Sequence, residues 1–175
     1  MIMDVMNETF IESAAVGFKK LGNYHITDVN ENSNEKIYFV SIAFRGNWMS
    51  AQSFCRSYGM DLVALESEHE AKYFMKSCEK EIQSFEAFSH IGGVFESKDN
   101  KWHWITSSEK INFELKFSSD NKNEGDKKDE NCLQLVKDNN GFSYGRTSCF
   151  GDKLQPFVCQ RMIIKMNRWK ELFGK

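Results

Sequence analysis

The sequence predicts an α+β domain in which two helices are followed by the short strands of an antiparallel sheet. Three observations predict it. Apolar residues recur at helical spacing in two segments, and each segment begins with a capping residue. Beyond Ser84 they fall instead in short aromatic and β-branched runs separated by turn residues, which is typical of strands. With 175 residues and 41% hydrophobic content, the chain is long enough for one domain with a sizeable core.

The predicted domain begins with a strand and a helix. The segment KIYFVSIAF, Lys36–Phe44, is aromatic and β-branched and predicts a strand. Asn47 can cap the helix that follows, and Gly59 stands where a helix ends in the left-handed conformation. The residues that share the apolar face of this helix are Ala51, Phe54, Cys55 and Tyr58.

The second helix follows a short buried strand, LVAL, at residues 62–65. Ser67 and Glu70 have the spacing of a capping box, which marks a helix start. The apolar face of this helix consists of Ala71, Phe74, Met75 and Cys78.

Six further strands are predicted after this helix. They are FSHIGGVFE (88–96), KWHWITS (101–107), INFELKF (111–117), NCLQLVK (131–137), GFSYGRTSC (141–149) and PFVCQR (156–161). Residues 96–131 are rich in polar connections, and long loops inside a compact domain are usually functional.

The ends of the chain are predicted to lie outside the domain, which we place at residues 36–160. Residues 1–35 form an N-terminal lead-in with four apolar residues at helical spacing: Phe10, Ala14, Phe18 and Leu21. Residues 161–175 form a basic tail with the pattern of an amphipathic helix, carried by Met162, Met166, Trp169 and Phe173. Such a tail can pack on its own domain, dock on a partner or lie on an anionic surface.

Charge and apolar patterning exclude several classes of protein. A net charge of −2 without a basic run in the domain gives no reason to expect nucleic-acid binding. No apolar run approaches the ~20 residues of a membrane span. Residues 1–10 lack the basic flank and apolar core of a secretory signal, so either no leader is made or a leader was removed.

The five cysteines favour disulfides over a zinc site, because no two of them are separated by only two residues. Four of them can form two disulfides in three connectivities, which would place the protein outside the cytosol. Cys78 is then left as a buried thiol or as a link to a partner chain. No cysteine–histidine or metal-binding histidine signature is present, so we expect no enzyme activity, and we expect His90 and His103 to have packing roles.

Three segments carry a resemblance to a known family. NWMSAQSFCRSYGMDLVALESEHEAKYF resembles the two-helix half of C-type lectin-like domains. HIGGVF resembles their Trp-Ile-Gly core strand, with His90 in the tryptophan position. ENCLQL, Cys149 and PFVCQ resemble their closing cysteine framework. The resemblance extends from Tyr38 to Gln160, and secreted single-domain invertebrate lectins of this family are especially similar to this sequence. It implies the double-loop fold with a long irregular binding-loop region, and the disulfides Cys55–Cys159 and Cys132–Cys149.

The resemblance also implies where a ligand would bind. Sugar-binding members hold one calcium ion with five side chains, and hydroxyls of the sugar complete its coordination. On this chain a Glu-Pro-Asn triplet of ligands is replaced by Asn121-Lys122-Asn123, so Lys122 stands where a cis proline is expected. Glu130 falls at the third ligand position. The final Asn-Asp pair is replaced by Gly145-Arg146, after Tyr144 in a tryptophan position.

We therefore expect a degenerate calcium site, with Asn121, Asn123 and Glu130 as its residual ligands, and no cofactor. The residues expected to meet a ligand are Asn121, Asn123, Glu130, Tyr144 and Arg146. Calcium at a non-standard site stays open through the acidic residues of the loop, which are Asp120, Glu124, Asp126, Asp129 and Glu130. The alternative is a solvated loop, because Lys122, Lys127 and Lys128 are interleaved with these acids.

The function implied is recognition outside the cell. The first hypothesis is a secreted module that binds a carbohydrate or a microbial surface, as in pattern recognition by innate immunity. The alternative is a calcium-independent domain that binds a partner protein, in which loop charges such as Arg146 and Lys122 would set orientation and association rate.

Overall fold

The structure, a computed structural model, describes residues 17–27, 33–119 and 130–165. Within these ranges the elements are β1 (Phe18–Thr27), β2 (Ser33–Ser41), α1 (Trp48–Ser57), β3 (Asp61–Leu62), α2 (Glu68–Lys80), a 3₁₀ turn (Ile82–Ser84), β4 (Phe88–Glu96), β5 (Lys101–Trp104), β6 (Cys132–Asp138), β7 (Gly141–Thr147) and β8 (Val158–Lys165). One sheet has the strand order β1-β2-β8-β3, and the other has the order β5-β4-β6-β7. Neighbouring strands are antiparallel throughout both sheets. The predicted α+β class is confirmed.

Both predicted helices form, and local sequence explains their ends. The Asn47 side chain accepts a hydrogen bond from the Ser50 amide at 2.9 Å, which satisfies one donor of the first turn of α1. Gly59 follows that helix with φ 66°, in the left-handed region where glycine is favoured. At α2 the Ser67 hydroxyl accepts from the Glu70 amide. The Glu70 carboxylate turns instead to the Glu66 amide, so only half of the predicted capping box is present.

The core fills the space between the helices and the two sheets. The Ala71, Phe74 and Cys78 side chains of α2 are buried in its larger cluster, as their spacing predicts. Where the sheets meet, the Gly92 amide donates to the Val63 carbonyl at 2.9 Å. A Cβ atom at Gly92 would lie 2.9 Å from that same oxygen, so this close approach requires glycine.

Two disulfides close the fold with the pairing that the resemblance implies. Cys55–Cys159 joins α1 to β8 over a sequence separation of 104 residues. Cys132–Cys149 joins the start of β6 to the loop after β7 over 17 residues. Cys78 takes part in neither bond and is buried, and burial raises the pKa of its thiol well above the ordinary value.

The helical spacing of the lead-in does not produce a helix at Phe18 and Leu21, which lie in β1. A bulge between Lys20 and Gly22 shifts the pairing of β1 with β2. An extra residue in a strand changes which side chains face inward. Two residues three apart can therefore both be buried, as Phe18 and Leu21 are. Phe10 and Ala14 lie outside the described residues.

The prediction of a helix after Gln160 is wrong for residues 161–165, which continue β8. The pairing partner is β2, which is long enough to carry the ladder from Val40–Val158 out to Ser33–Lys165. Backbone hydrogen bonds to a neighbouring strand outweigh the helical spacing of Met162. The remaining tail residues, including Met166, Trp169 and Phe173, lie outside the described part.

The predicted strand INFELKF at residues 111–117 is also wrong. This segment is irregular, with a single bridge from Phe117 to Tyr144. Its alternating apolar residues still reach the core, because Ile111 is buried and Phe113 and Leu115 pack against the same cluster. The alternation of apolar residues in this segment therefore reflects side-chain packing against the core and not a hydrogen-bonded strand ladder.

A helix able to cross a bilayer is not found in the described ranges. The longer of the two α-helices there has 13 residues, against the ~20 that a crossing needs.

Candidate functional site

The predicted binding loop leaves the second sheet after Phe117 and returns to it before Cys132. Tyr144 of β7 holds the outgoing end, because its amide donates to the Lys116 carbonyl and its carbonyl accepts from the Ser118 amide. The Phe95 amide of β4 holds the returning end by donating to the Asn131 carbonyl at 2.8 Å. Both ends of the loop are therefore fixed to this sheet, the outgoing end at its edge strand β7 and the returning end at its inner strand β4.

Several predicted site residues fall within the loop and outside the described residues. These are Asn121 and Asn123 of the expected ligand set, with Lys122 between them, and the acids Asp120, Glu124, Asp126 and Asp129. Of the expected ligand-binding residues, the structure places Glu130, Tyr144 and Arg146.

Tyr144 and Gly145 line β7 without offering a side-chain ligand at the surface. The Tyr144 side chain is 5% exposed and belongs to the core, and burial raises the pKa of its phenol above the ordinary value. Gly145 pairs with Gln134 of β6 and has no side chain. At the position that the resemblance assigns to a calcium-binding Asn-Asp pair, the first residue thus contributes no oxygen beyond the backbone.

Arg146, the second residue of that position, carries its guanidinium over two aromatic rings. The carbon Cζ lies 5.5 Å from the ring centroid of Phe95 and 5.5 Å from that of Trp102. Phe95 and Trp102 are paired across β4 and β5, and their rings meet edge-on with centroids 5.3 Å apart. A cation over an aromatic face is worth about 0.5–2 kcal/mol, so the rings hold the guanidinium in place.

The aromatic cluster extends from these rings toward the loop. The rings of Trp102 and Phe117 have centroids 6.1 Å apart, and Phe117 is the last residue bridged to β7 before the loop. Arg146, Phe95, Trp102 and Phe117 thus form a half-buried platform at the base of the binding loop. We call these four residues the arginine–aromatic platform.

A cleft of about 390 Å³ opens beside strands β4, β6 and β7. It brings Glu130 together with the Gln134 side chain and with Arg146, whose carbonyl accepts a hydrogen bond from Gln134 Nε2 at 3.0 Å. Its lining residues are Phe88, Ser118, Glu130, Gln134, Val136, Arg146, Thr147, Ser148, Gly151, Asp152 and Lys153.

One group of three residues with metal-ligand side chains occurs among the described residues, on the β4–β5 hairpin. Glu96, Asp99 and His103 have ligand atoms within 4.8 Å of one another. His103 Nε2 lies 2.9 Å from an Asp99 oxygen, and its Nδ1 faces the Ser108 carbonyl. The hydrogen bond with Asp99 raises the pKa of His103 above the ordinary value, although burial acts in the opposite direction. The group was not predicted, and its chain spacing resembles no recurring metal motif.

Two large apolar side chains stand out from the loop after β7. Phe150 is 77% exposed and Leu154 is 68% exposed. Cys149 ties one end of this loop to β6, and backbone bonds between Gly46 and Gln155 tie the other. The fold therefore presents both side chains to solvent from a loop with fixed ends.

Phe95, Trp102 and Gln134 were missed as site residues in the sequence. The sequence signal that could have found them is the alternation of side chains along each strand between the two faces of the sheet. It places Phe95 and Trp102 on one face, and it places Gln134 on the face opposite to Leu133 and Arg146. Using it requires the register of β4, β5, β6 and β7, and a register is a tertiary property.

Comparison with known families gives one match that spans more than half of the chain. A sequence model of the lectin C-type domain matches residues 45–161. The matched range contains both helices, both disulfides and the whole binding loop.

Solved structures with the same fold include three domains from different animals. The C-type lectin domain of murine dendritic cell inhibitory receptor 2, in complex with an N-glycan, has a TM-score of 0.57 at 19% identity and covers 74% of this chain and 91% of that chain. The cow C-type carbohydrate-recognition domain of CD23, in the presence of a GlcNAc2Man3 oligosaccharide, has a TM-score of 0.55 at 18% identity, covering 74% and 90%. The Ca²⁺-independent C-type lectin SPL-2 from Saxidomus purpuratus has a TM-score of 0.54 at 18% identity, covering 71% and 85%. At these identities the likeness shows a shared fold.

Proposed function

The chain belongs to the C-type lectin family, and from this premise we propose that it recognises carbohydrate outside the cell without the calcium ion that sugar-binding members use. The carbohydrate is part of a glycan or of a microbial surface, and the role is pattern recognition in innate immunity. The two disulfides support an extracellular location, because such bonds persist in oxidising compartments.

One observation carries the proposal: the Arg146 guanidinium lies over Phe95 and Trp102. It stands at the position where a calcium-binding carboxylate would be expected. A permanent cation there repels a second cation, while the adjacent Gly145 supplies no side-chain oxygen. Loss of two ligands from a set of five leaves too few oxygens for the six to eight that calcium takes.

The same arrangement suits a sugar directly. A guanidinium has five N–H donors in a fixed plane, and two neighbouring hydroxyls of a sugar can accept from its edge while its face remains on the aromatic rings. The exposed parts of Trp102 and Phe95 supply an apolar surface for the C–H groups of the sugar ring. Solved domains of this fold in complex with an N-glycan, and one described as Ca²⁺-independent, support both halves of the proposal.

The test combines a glycan array with calorimetry. We expect binding to at least one glycan class, with equal signal in calcium and in EDTA, and no heat from calcium added to the protein. Chelator-sensitive binding to mannose- or galactose-type sugars would refute the calcium-free mechanism. A calcium titration without glycan then measures the ion site by itself.

Three variants locate the site. Arg146→Met keeps the stem over the rings and removes the charge, so glycan affinity is expected to fall by about tenfold or more, since a charged hydrogen bond contributes about 1.5–3 kcal/mol. Arg56→Met is the matched control, because Arg56 is an exposed arginine of α1 paired with Asp61. Arg146→Asp is expected to create calcium affinity only if Asn121, Asn123 and Glu130 already have ligand geometry.

A second function is favoured by a different observation, the exposure of Phe150 and Leu154. Exposed aromatic and aliphatic side chains on a fixed loop are typical anchors for a protein partner. This alternative is a calcium-independent domain that binds a protein. If it is correct, the glycan array shows no binding either in calcium or in EDTA. The protein then binds a partner protein, and the Phe150→Ser variant binds that partner more weakly. Retained glycan binding by the Phe150→Ser variant favours the carbohydrate proposal instead.

A further inference from the structure

We propose that Glu96, Asp99 and His103 form a zinc-binding site on the β4–β5 hairpin. Their ligand atoms, one imidazole nitrogen and two carboxylate oxygens, lie within 4.8 Å of one another. Zinc holds such atoms about 2.0–2.2 Å away, so small rotations of the two exposed acidic side chains bring all three to one ion. Three protein ligands leave the fourth position of a tetrahedral site open to water or to another ligand.

The hydrogen bonds of His103 direct one ring nitrogen at the site. Nδ1 lies 3.3 Å from the Ser108 carbonyl oxygen, and Nε2 lies 2.9 Å from Asp99 Oδ2. A neutral ring has one N–H, so when Nδ1 donates to the carbonyl, Nε2 directs a lone pair at the carboxylate. A divalent cation between Nε2 and Oδ2 satisfies both atoms. Histidine ligands of metal ions usually donate their other N–H to a carbonyl or carboxylate in this way.

Backbone groups hold both partners of His103 in place. The Lys101 amide donates to Asp99 Oδ1 at 3.2 Å, which leaves Oδ2 for the imidazole. The Ser108 amide donates to the Trp104 carbonyl at 2.8 Å and fixes the turn that presents the Ser108 carbonyl. Ligands that are oriented before the ion arrives lose little conformational freedom when it binds.

The donor set favours zinc over calcium and magnesium. Those two hard cations prefer sites made entirely of oxygen, with six to eight ligands for calcium and an octahedron for magnesium. An imidazole with two carboxylates suits zinc, and the His103 side chain is only 12% exposed, which shields one side of the site from water. The two carboxylates balance the charge of the ion, against the single ammonium of Lys110 that acts on Asp99.

The hairpin site is separate from the arginine–aromatic platform. Trp102 pairs with Phe95, whereas His103 pairs with Val94, so alternation along the strands places His103 on the opposite face of the sheet. Glu96 follows Phe95 along β4 and alternates with it in the same way. None of the three proposed ligands belongs to the calcium set that the resemblance implies. The inference therefore goes beyond the proposed function.

The test is a titration of the metal-free full chain with zinc chloride at pH 7.5, followed by calorimetry and by NMR of the ¹⁵N-labelled histidine rings. We expect one equivalent of zinc to shift the Nε2 resonance of His103 and to leave Nδ1 protonated. Calcium or magnesium in about tenfold excess should neither displace the zinc nor shift this resonance.

Two variants locate the ion, and a third is the control. His103→Gln and Asp99→Asn each remove one ligand and are expected to weaken zinc binding at least about tenfold, since loss of an outer partner alone costs about 10–100-fold. His69→Gln is the matched control, because His69 lies on α2 with Nδ1 bonded to the Tyr24 hydroxyl, outside the proposed group. Its zinc affinity should equal that of the unaltered chain.

Two results would overturn the inference. In the first, zinc leaves the Nε2 resonance unshifted, as expected of an imidazolium that is only paired with Asp99; this measurement uses the unaltered chain and does not depend on the folding of a variant. In the second, His103→Gln binds zinc as tightly as His69→Gln, which would place the ion elsewhere. Glycan binding is measured in EDTA, without zinc, so the failures of the two proposals are distinguishable.

Discussion

Lys36→Met is expected to destabilise the fold strongly, because Lys36 is an ammonium buried completely beneath the first sheet. Its side chain is 0% exposed, and Nζ lies 2.8 Å from Glu70 Oε1 and 3.1 Å from the Ala64 carbonyl. Glu70 is almost equally buried and also accepts hydrogen bonds from the Tyr38 hydroxyl at 2.6 Å and the Glu66 amide at 2.9 Å. This network joins β2 to the first turn of α2.

The size of the effect follows from what each substitution leaves behind. Lys36→Met leaves the Glu70 carboxylate buried without a cation, and breaking a buried pair in this way costs about 3–5 kcal/mol. Glu70→Gln leaves the Lys36 ammonium near the Glu66 carboxylate at 3.3 Å, so its cost should be smaller, about 2–3 kcal/mol. In the double variant the only carboxylate that loses its partner is Glu66, which is 40% exposed, so no buried charge is left unpaired and we expect this variant to be more stable than Lys36→Met alone.

The assay is urea unfolding at pH 7 with both disulfides intact, followed by tryptophan fluorescence. The matched control is the exposed pair Glu68–Lys72 on the same helix, where the nitrogen–oxygen distance is 2.7 Å. Such surface pairs contribute only about 0.3–0.5 kcal/mol, so Lys72→Met should change little. The reasoning is refuted if Lys36→Met costs less than about 1 kcal/mol, or if the free-energy changes of the two single variants simply add.

Three further outcomes are expected. Burial lowers the pKa of His90 from 6.5 to about 4, so between these pH values the unfolded chain binds a proton at this residue and the folded chain does not. The free energy of unfolding should therefore fall by about 3 kcal/mol as the pH is lowered from above 6.5 to 4. His90→Phe should flatten this part of the pH profile measured by urea denaturation. Replacing Cys55–Cys159 by alanines should lower the free energy of unfolding by about 4–5 kcal/mol, against about 3 kcal/mol for Cys132–Cys149, because the first disulfide closes a loop of 104 residues and the second a loop of 17. The denaturant midpoints of the two double variants measure this order, and the reverse order would contradict the loop-entropy argument. Cys78 should resist a thiol reagent in the native protein and react after unfolding, and immediate reaction would show that it is accessible.

The features that the sequence predicted well are those set by local chemistry. Asn47, Ser67 and Gly59 each act on the backbone within four residues, so the helix ends could be placed without knowing the fold. The bounds of β4, residues 88–96, were also predicted correctly. The disulfide pairing came from the resemblance alone, and the structure confirms it.

The errors arose where tertiary pairing outweighed a local pattern. Met162 has helical spacing with the residues after it, but its backbone pairs with Lys36 of β2. Phe18 and Leu21 also have helical spacing, and a bulge explains their burial in a strand. The arginine–aromatic platform needed the registers of three strand pairs, β4–β5, β4–β6 and β6–β7, before Arg146 could be placed over Trp102. No propensity or motif contains that information.

The way the loop is anchored bears on whether an ion is needed. In a sugar-binding member the calcium ion both contacts the sugar and joins parts of the loop that are distant in sequence. In this chain Phe117, Ser118 and Asn131 are already fixed to the sheet by backbone bonds to Tyr144 and Phe95. Cys132–Cys149 fixes the strand that follows. Backbone bonds and a disulfide therefore fix the loop ends to the sheet, and in the function proposed above Arg146 provides the charged contact with the sugar that the ion would otherwise make.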